Sequence, residues 1–309
     1  MIHQCFSRKI EACIIKIDFC KAFDCVSWDF LISLLNARGF GSKWLSWIKF
    51  IMFSSSSSML VNGTPTNPFT CHRGLKQGDP LSLMLFLLVA DVLCRMLHNS
   101  CNYGDLLELH LKCMLNDIKS LQFADDTLIF CKATSSDISN LKSILYLFEE
   151  VSGLATNFSK SNLYYSSKSS PKGLLLANIL NCSFASPPFK YLGLLLRRGS
   201  LSRADWQPLL DSLNHKLSQW KSKHLPIGGR LVLLKSVLSS VSFYYISFFK
   251  LPSWLIKNID KIRRNFLWGG SADHNAGNHP VRWGTICSPK VCGGLGVLNH
   301  LFNISLLSK

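Results

Sequence analysis

Two adjacent aspartates, Asp125 and Asp126, stand between two short apolar segments, residues 121–123 and 127–131. Apolar segments of this length with a tight turn between them predict a β-hairpin with the doublet at its tip. Neighbouring carboxylates repel each other unless a positive charge lies close by. Alternatively, one aspartate is an ordinary turn residue and the other is solvated. The chain must therefore fold so that the doublet is either exposed to water or supplied with a cation.

A third carboxylate, Asp18, falls in another predicted strand, residues 14–19. Three hard oxygen ligands that converge on one point suit Mg²⁺, which binds through one or two carboxylates plus substrate phosphates. Two such ions about 3.5–4 Å apart can activate a 3′-hydroxyl and stabilise a leaving pyrophosphate. Two Mg²⁺ ions are therefore the expected cofactors, with Mn²⁺ as the alternative.

The distribution of charge separates the two halves of the chain. The 309 residues include 34 Lys+Arg and 18 Asp+Glu, which gives a net charge of +16. Residues 1–150 hold 14 basic and 14 acidic side chains, so residues 151–309 carry the whole excess, 20 against 4. A basic half beside a neutral half indicates a polyanion such as nucleic acid, or an anionic membrane. A surface kept basic for solubility is the alternative. The hydrophobic share of 48% excludes a disordered chain.

Cysteine usage and apolar runs bear on the compartment. Twelve cysteines without a Cys-x-x-Cys pair indicate reduced thiols in an intracellular protein, so no disulfide partner is expected. No secretory signal opens the chain. The longest apolar runs, residues 81–90 and 236–249, are shorter than the ~20 residues of a membrane span. We interpret both as core helices and expect no membrane partner. The residues do not indicate an oligomeric state.

The hydrophobic pattern predicts a mixed α+β first part and a basic helical second part, with a boundary near residue 200. In the first part Ser27 is expected to cap a helix that ends near Ala37, and Gly153 to end another. The other helices are predicted over residues 80–97, 136–151, 203–223, 228–243 and 253–267. Strands are predicted over residues 59–61 and 69–71, after an Asn62-Gly63 turn, and over 191–196, with loops over 168–172 and 269–280.

Five segments resemble, in order, motifs A to E of reverse transcriptases from LINE-type, non-LTR retrotransposons, the plant versions in particular. They are Lys16-Ile17-Asp18-Phe19-Cys20-Lys21-Ala22-Phe23-Asp24-Cys25-Val26-Ser27-Trp28, Arg73-Gly74-Leu75-Lys76-Gln77-Gly78-Asp79-Pro80-Leu81-Ser82, Phe123-Ala124-Asp125-Asp126, Ser152-Gly153-Leu154 with Asn157 and Lys160-Ser161, and Tyr191-Leu192-Gly193. Later segments, such as Phe266-Leu267-Trp268-Gly269-Gly270, extend the resemblance over nearly the whole chain.

The resemblance implies an α+β fold, a right-hand polymerase palm with its fingers mostly missing, followed by a helical thumb-like region. The palm with remnant fingers would occupy residues 1–200, the thumb-like region residues 201–268, and a C-terminal connection segment residues 269–309. Only seventeen residues precede Asp18, which is why most of the fingers would be missing. A nuclear location is implied by the family alone.

The implied activity is RNA-directed DNA polymerisation, a two-metal-ion transfer of a nucleotide from a dNTP to a primer 3′-hydroxyl on an RNA template. Asp18, Asp125 and Asp126 would be catalytic metal ligands, with the Phe19 carbonyl touching a metal, and Lys160 would protonate the pyrophosphate. Nucleotide binding would fall to Phe23 as steric gate and to Gln77 and Gly78, where glycine permits close backbone approach. The primer grip would be Tyr191, Leu192 and Gly193. Phe23 as a core aromatic, Lys160 as a solvated charge and Gln77 as a surface amide are the alternatives.

Basic residues on or beside the predicted thumb helices would follow a phosphate backbone without reading sequence. They are Arg197, Arg198, Lys221, Lys223, Arg230, Lys235, Arg263 and Arg264. Two histidines and two cysteines near the C-terminus are spaced more loosely than the ligands of a structural zinc site, so we interpret them as a loop. They are His274, His279, Cys287 and Cys292.

A second interpretation keeps the family and removes the activity. Without most of the fingers, the chain would be a catalytically inactive retroelement fragment that at most binds nucleic acid nonspecifically. Motif B also departs from the family, with Leu83 in place of the usual proline and Lys76 in place of arginine. A lysine keeps the charge and loses the bidentate geometry of arginine. A maturase-like splicing role is a third option, which no residue marks.

Overall fold

The computed structural model describes residues 11–102, 106, 119–166, 170–197, 199–219, 225–269 and 280–297. The chain divides into two compact units, Met1–Gly199 and Ser200–Lys309. The first unit combines a sheet with helices, whereas the described residues of the second unit are helical or irregular. The predicted α+β class, a mixed first part followed by a helical second part, is confirmed.

The first unit contains eleven strands and six helices among its described residues. The strands are β1 (Ala12–Ile17), β2 (Ser56–Ser57), β3 (Leu60–Val61), β4 (Thr64–Pro65), β5 (Phe69–Thr70), β6 (Ser120–Phe123), β7 (Asp126–Lys132), β8 (Asn162–Tyr165), β9 (Ser183–Ala185), β10 (Phe189–Tyr191) and β11 (Leu194–Leu196). The helices are α1 (Ala22–Cys25), α2 (Trp28–Ala37), α3 (Ser42–Phe53), α4 (Pro80–Asn102), α5 (Ser135–Ser152) and α6 (Ser170–Leu180).

A five-stranded sheet in the order β6-β7-β1-β8-β9 organises the first unit. All neighbouring strands are antiparallel except β8 and β9, which are parallel. The central strand β1 buries side chains on both faces, because Ile15 and Ile17 join the larger core and Ile14 joins a smaller one. The smaller core lies on the face that also carries Phe189 and Tyr191 of the β10–β11 hairpin. Two covered faces explain why β1 is almost continuously apolar.

Local signals in the sequence set the helix ends of the first unit. The Ser27 hydroxyl accepts a hydrogen bond from the Phe30 amide at 3.4 Å, so the predicted N-cap of α2 is confirmed. Gly153 adopts φ +78° after α5 and its amide bonds back to the Glu149 carbonyl. A side chain at Gly153 would also meet the Cys25 carbonyl oxygen at 2.4 Å. The helix end is therefore packed directly against the segment that follows β1.

Three predicted elements of the first unit are wrong. The single strand predicted over residues 191–196 is a hairpin, because a turn at Leu192-Gly193 separates β10 from β11. The loop predicted over residues 168–172 overlaps α6, which begins at Ser170. Pro171 fits the first turn of this helix, because backbone N–H groups there have no partner within the helix and the N–H that proline lacks is not needed. The strand at residues 69–71 does not return against β3. A two-residue Asn62-Gly63 turn pairs β3 with β4 immediately, which leaves β5 to pair with β2.

The helices of the second unit enclose their own apolar core. They are α7 (Arg203–Gln219), α8 (Ile227–Leu233), a π-helical turn (Leu234–Leu238), α9 (Ser239–Phe248), α10 (Ser253–Gly269), α11 (Trp283–Cys287) and a 3₁₀ turn (Lys290–Cys292). Trp206, Leu234, Leu255 and Phe266 are among the buried side chains. The loop predicted over residues 269–280 lies almost entirely outside the described residues.

Two helical stretches of the described chain, Pro80–Cys101 and Ile227–Phe248, are long and apolar enough to cross a membrane by length and composition. The prediction that the apolar runs are too short is therefore wrong, because each helix continues past its apolar run. Core helices pass the same test, and α4 buries Phe86, Val89 and Leu93 in the main core of the first unit. That burial accounts for one face of α4, whereas Leu83, Met84 and Leu87 on the same helix are exposed.

Candidate active site at one edge of the central sheet

The strand pairing brings two of the singled-out carboxylates to the same edge of the sheet. Asp18 directly follows β1, Asp126 begins β7, and the last residue of β1, Ile17, lies opposite Thr127. Phe123 pairs with Asp126, so the turn of the predicted hairpin is Ala124-Asp125. Asp125 is exposed and Asp126 is half-buried. The backbone register thus places the three aspartates around one end of the β1–β7 pair.

The hairpin turn carries backbone strain. Ala124 has φ +52°, in the left-handed region that costs an L-residue other than glycine about 1–2 kcal/mol. Strain of this kind persists only where the surrounding structure enforces it, and it is concentrated at functional sites. The neighbouring strand pairing of β6 with β7 supplies that enforcement.

A lysine that the motif reasoning left without a role supplies the positive charge next to the doublet. The Lys16 Nζ lies 3.2 Å from Asp126 Oδ1, and the two side chains are 30% and 40% exposed. Lys16 is two residues before Asp18 on β1, and it faces the same side of the sheet as Asp126. The one cationic side chain within an otherwise apolar strand was the signal in the sequence.

The backbone at Asp18 and Phe19 is hydrogen-bonded to the segment predicted as motif D. The Asp18 amide donates to the Ser161 hydroxyl at 3.1 Å, and the Asp18 carbonyl accepts from the Asn157 amide at 2.7 Å. Phe19 forms a bridge with Thr156, and its ring lies edge-on to Phe148 in the core. These bonds fix the path of the backbone at Asp18 on one side.

Lys160, the proposed proton donor, is exposed. Its amide bonds to the Asn157 side chain at 3.2 Å, in the same turn that holds the Asp18 backbone. The turn therefore carries Lys160 next to Ser161, whose hydroxyl contacts Asp18. The structure brings the motif D backbone to the site and leaves the lysine side chain in solvent.

The segment predicted as motif B packs onto the loop between β1 and α2. The Gly74 amide donates to the Val26 carbonyl at 2.8 Å, and the Leu75 amide donates to the Phe23 carbonyl at 2.6 Å. The Trp28 indole donates to the Gly74 carbonyl at 2.7 Å. A side chain at Gly74 would lie 2.6 Å from the Asp24 carbonyl oxygen, and its φ is +91°. Glycine is therefore required here by both space and conformation.

Gln77 and Gly78 lie exposed in the turn that enters α4. Asp79 caps that helix, because its carboxylate accepts from the Ser82 amide at 2.9 Å and from the Ser82 hydroxyl at 3.0 Å. Gly78 has φ +87°, and no protein atom lies within 4 Å of where its Cβ would be. Within the chain, the glycine is needed for the turn conformation and not for close packing.

The Phe23 ring, the predicted steric gate, is half-buried and stacks on Phe86 with ring centroids 4.5 Å apart. It packs against the main core of the first unit. The ring is therefore held in a fixed orientation by α4, as both the steric-gate and the core-aromatic interpretations require.

The predicted primer grip forms the turn of the β10–β11 hairpin. Leu192 and Gly193 have φ of +50° and +77°, and Gly193 is exposed. Tyr191 is only 8% exposed, and its hydroxyl donates to the Leu121 carbonyl at 3.3 Å and the Asp126 carbonyl at 3.5 Å. Burial raises the pKa of the Tyr191 hydroxyl, and the charge of Asp126 adds to that shift. Tyr191 thus contacts the carboxylate hairpin, Leu192 packs against the smaller core, and Gly193 faces solvent.

One prediction about the basic surface is wrong. Arg263 is fully buried, with its guanidinium 2.9 Å from the Asp260 carboxylate and 5.3 Å from the centre of the Trp283 ring. Burial lowers the pKa of Arg263, and burial raises the pKa of Asp260 despite the pair. A buried ion pair of this kind cannot reach a phosphate, because the guanidinium has no exposed surface.

Arg230 also serves the interior of the second unit. Its guanidinium donates to the Leu267 carbonyl at 3.4 Å and the Trp268 carbonyl at 3.3 Å, where the last turn of α10 leaves carbonyls without helical partners. The other described residues of the predicted basic set are half-buried. These are Arg197, Lys235 and Arg264. Arg198, Lys221 and Lys223 lie outside the described residues.

The donor set at the sheet edge suits a hard cation, since carboxylate oxygens are the ligands that Mg²⁺ prefers. Among the residues that the structure describes, no three His, Cys, Asp or Glu side chains are grouped closely enough to hold a metal ion. The backbone therefore gathers the carboxylates at one edge without closing them into a ligand cluster. Of the four candidate zinc ligands, His274 and His279 lie outside the described residues.

A family model described as "Reverse transcriptase (RNA-dependent DNA polymerase)" matches residues 2–196. The transposon TX1 uncharacterized 149 kDa protein of Xenopus laevis is 24% identical over 311 residues, 96% of this chain and 22% of that protein. The retrovirus-related Pol polyprotein from type-1 retrotransposable element R2 of Popillia japonica is 25% identical over 260 residues, 81% and 41% of the two chains. A putative ribonuclease H protein of Arabidopsis thaliana is 39% identical over 102 residues, which are 33% of this chain and 16% of that protein. The chain spans less than half the length of each relative.

Two solved structures show a distant likeness. Telomerase from Candida albicans with a fragment of telomeric RNA has a TM-score of 0.42 and 13% identity, covering 86% of this chain and 45% of that one. Telomerase from Candida tropicalis with a telomeric RNA fragment has a TM-score of 0.47 and 11% identity, with 98% and 48% covered. At these values the likeness carries no argument about function.

Proposed function

Because the chain belongs to the reverse transcriptase family, matched over residues 2–196, we propose that it is an RNA-directed DNA polymerase. The interpretation of the sequence as a LINE-type reverse transcriptase agrees with the retrotransposon relatives. The proposed reaction transfers a nucleotide from a dNTP to the 3′-hydroxyl of a DNA primer on an RNA template. Activity of this chain is part of the proposal, as are its template, primer and nucleotide substrates.

The observation that carries the proposal is the register of β1 against β7. It sets Asp18 and Asp126 at the same end of adjacent strands, with Asp125 in the turn beside them. Asp18 and Asp125, which are 107 positions apart in the sequence, thus lie at the same sheet edge. Three neighbouring carboxylates repel one another, and bound cations would compensate that repulsion.

The chain's own residues would divide the work. Asp18 and Asp125 would hold the divalent ions, with Asp126 assisting. Bound Mg²⁺ would lower the pKa of the attacking hydroxyl and neutralise the leaving pyrophosphate. The exposed Lys160 would deliver a proton to the pyrophosphate, and the Phe23 ring, braced by Phe86, would exclude a ribose 2′-hydroxyl.

Nucleic-acid binding would depend on contacts with the phosphate backbone of the nucleic acid. The net charge of +16 favours a polyanion, and phosphate contacts hold a duplex without reading its sequence. The turn at Leu192 and the exposed Gly193 would contact the primer, whereas Tyr191 would support that turn from within.

The test is primer extension on an RNA template with purified protein and Mg²⁺. Wild type should incorporate dNTPs, and Asp125→Asn should lower incorporation roughly a thousandfold, since a metal ligand contributes several kcal/mol to the transition state. Asp211→Asn is the matched control, because Asp211 is an exposed carboxylate on α7. Equal incorporation by wild type and Asp125→Asn, or none by wild type, would remove the polymerase proposal.

A second candidate is a catalytically inactive member of the family that binds nucleic acid nonspecifically. It is favoured by the absence, among the described residues, of a closed three-ligand cluster. An inactive binder would give no incorporation, yet its affinity for an RNA–DNA hybrid would fall steeply with salt. A salt-independent affinity would exclude that role as well.

A further inference from the structure

The Lys16–Asp126 ion pair is built from residues whose backbones are fixed. Lys16 lies on the central strand β1 and is paired on both sides, opposite Leu128 of β7 and Asn162 of β8. Asp126 begins β7, opposite Phe123 of β6. The 3.2 Å contact therefore joins two strand residues whose positions the sheet determines.

The opposite side of Asp126 is also held. The Tyr191 hydroxyl reaches the Asp126 carbonyl at 3.5 Å and the Leu121 carbonyl at 3.3 Å, so it links both strands of the hairpin to β10. The Tyr191 ring is buried in the smaller core together with Ile14 and Leu128. The backbone of Asp126 is held in this way, and the contact with Lys16 is what orients its carboxylate.

We propose that Lys16 is a positioning residue of the active site, acting through Asp126. Its ammonium group holds one oxygen of the carboxylate, which leaves the other oxygen for a metal ion, and it offsets one of the three negative charges at the sheet edge. This inference rests on the proposed function, because it assigns Lys16 a role toward the ions that Asp18 and Asp125 would hold.

The proposal has two consequences of opposite sign. Without the ammonium group the edge carries one more uncompensated negative charge, so a divalent ion should bind more tightly. Without the contact the Asp126 carboxylate is free to rotate, so nucleotide transfer should slow. A variant that was merely misfolded would lose both binding and transfer, and an exposed ion pair that only stabilised the fold would change neither appreciably.

The binding measurement titrates Mn²⁺ into the purified full chain and follows free Mn²⁺ by electron paramagnetic resonance, which does not require activity. Lys16→Met should lower the Mn²⁺ dissociation constant about three- to tenfold, as expected for removing one partly screened charge close to the site. Lys16→Arg keeps the charge and should bind Mn²⁺ within about twofold of wild type.

Lys132→Met is the matched control. Lys132 lies on the same β7 strand, at its far end opposite Ala12. Six residues of strand span about 20 Å, which is roughly twice the screening length at physiological salt. Its removal should leave Mn²⁺ affinity unchanged, which would show that the effect of Lys16 is local and not a response to net charge.

The kinetic arm is primer extension at saturating metal. Lys16→Met should lower kcat about tenfold with the KM for dNTP within about twofold, because orientation of a metal ligand acts on the transition state and not on nucleotide binding. Lys16→Arg should recover most of kcat.

The outcomes separate this inference from the function it rests on. If wild type has no Mn²⁺ site that Asp125→Asn removes, the proposed metal site fails and the inference fails with it. If that site exists but Lys16→Met leaves the Mn²⁺ affinity unchanged or weakens it, the inference alone is overturned. Tighter Mn²⁺ binding by Lys16→Met, together with slower extension, supports both.

Discussion

The two units treat their charged residues differently. In the first unit the charged side chains singled out from the motifs stay at the sheet edge, where Asp125 is exposed and Asp126 pairs with a partly exposed Lys16. In the second unit Arg263, one of the residues assigned to a phosphate-binding surface, is buried inside. The three aspartates named from the motifs therefore lie at one end of the β1–β7 pair, whereas Arg263, which was named for its charge, does not face solvent.

The physical reason is that a count of basic residues does not say which of them face water. A guanidinium can be buried when a carboxylate and an aromatic ring compensate it, and Asp260 and Trp283 do so for Arg263. The positions of residues on paired strands are more restricted, because a strand pair has one register that buries its apolar face.

The buried Arg263 gives the largest expected effect on stability. Arg263→Met should destabilise the second unit by about 3–5 kcal/mol, because it leaves the Asp260 carboxylate buried without its partner. Chemical unfolding followed by tryptophan fluorescence measures this. Lys261→Met, an exposed lysine two residues away on α10, should change stability by less than about 0.5 kcal/mol. Equal effects of the two variants would mean that Arg263 is not internal.

A glycine pair tests whether the packing of the first unit is as close as its register suggests. Gly74→Ala should cost about 2–4 kcal/mol, because it adds a contact 2.6 Å from the Asp24 carbonyl oxygen to an unfavourable φ. Gly78→Ala, at a similar φ with open space around it, should cost only about 1–2 kcal/mol. Thermal unfolding compares the two, and a Gly78 variant as damaging as the Gly74 variant would contradict the packing described for motif B.

The Tyr191 hydroxyl gives a smaller effect at the sheet edge. Tyr191→Phe should destabilise the first unit by about 0.5–1.5 kcal/mol, because the ring remains while a hydrogen bond to the carboxylate hairpin is lost. Tyr146→Phe, which removes a hydroxyl from a ring that is 48% exposed on α5, should be neutral. Denaturant midpoints of the two variants make the comparison, and a neutral Tyr191→Phe would show that the β10–β11 hairpin does not support Asp126.

The smallest expected change concerns the exposed charges of the second unit. If Lys261 contacts a phosphate, Lys261→Gln should lower the slope of log affinity against log salt by about 0.9 for an RNA–DNA hybrid. Arg230→Gln should lower the melting temperature and leave that slope unchanged, since Arg230 donates to the end of α10. A slope that falls with Arg230→Gln would return this residue to the phosphate-binding surface.

Much of the first unit was predictable because its signals are local. The Ser27 cap, the Gly153 stop and the turn around Asp125 each depend on a few neighbouring residues, and each appears in the structure. Helix α6 escaped prediction because its first residues, Pro171 and Gly173, are typical of loops. Its helical state depends on packing, since Leu176 and Leu180 are buried in the main core.

The role of Lys16 was not predictable from its neighbours in the chain. The pattern marks Lys16 only as an interruption of an apolar strand, and its partner Asp126 is 110 residues away. A contact of that separation exists only after β1 and β7 pair.

By itself the order of residues determined the family, the α+β class of the first unit and the identity of its carboxylates, because these follow from short motifs and local periodicity. Tertiary structure alone decided which charges meet and which are buried: Lys16 against Asp126, Tyr191 against the carboxylate hairpin, and Arg263 inside the second unit. The reason is that the energy of a charge depends on its surroundings, and the surroundings of each of these groups come from segments distant in the chain or from the packing of a helix face.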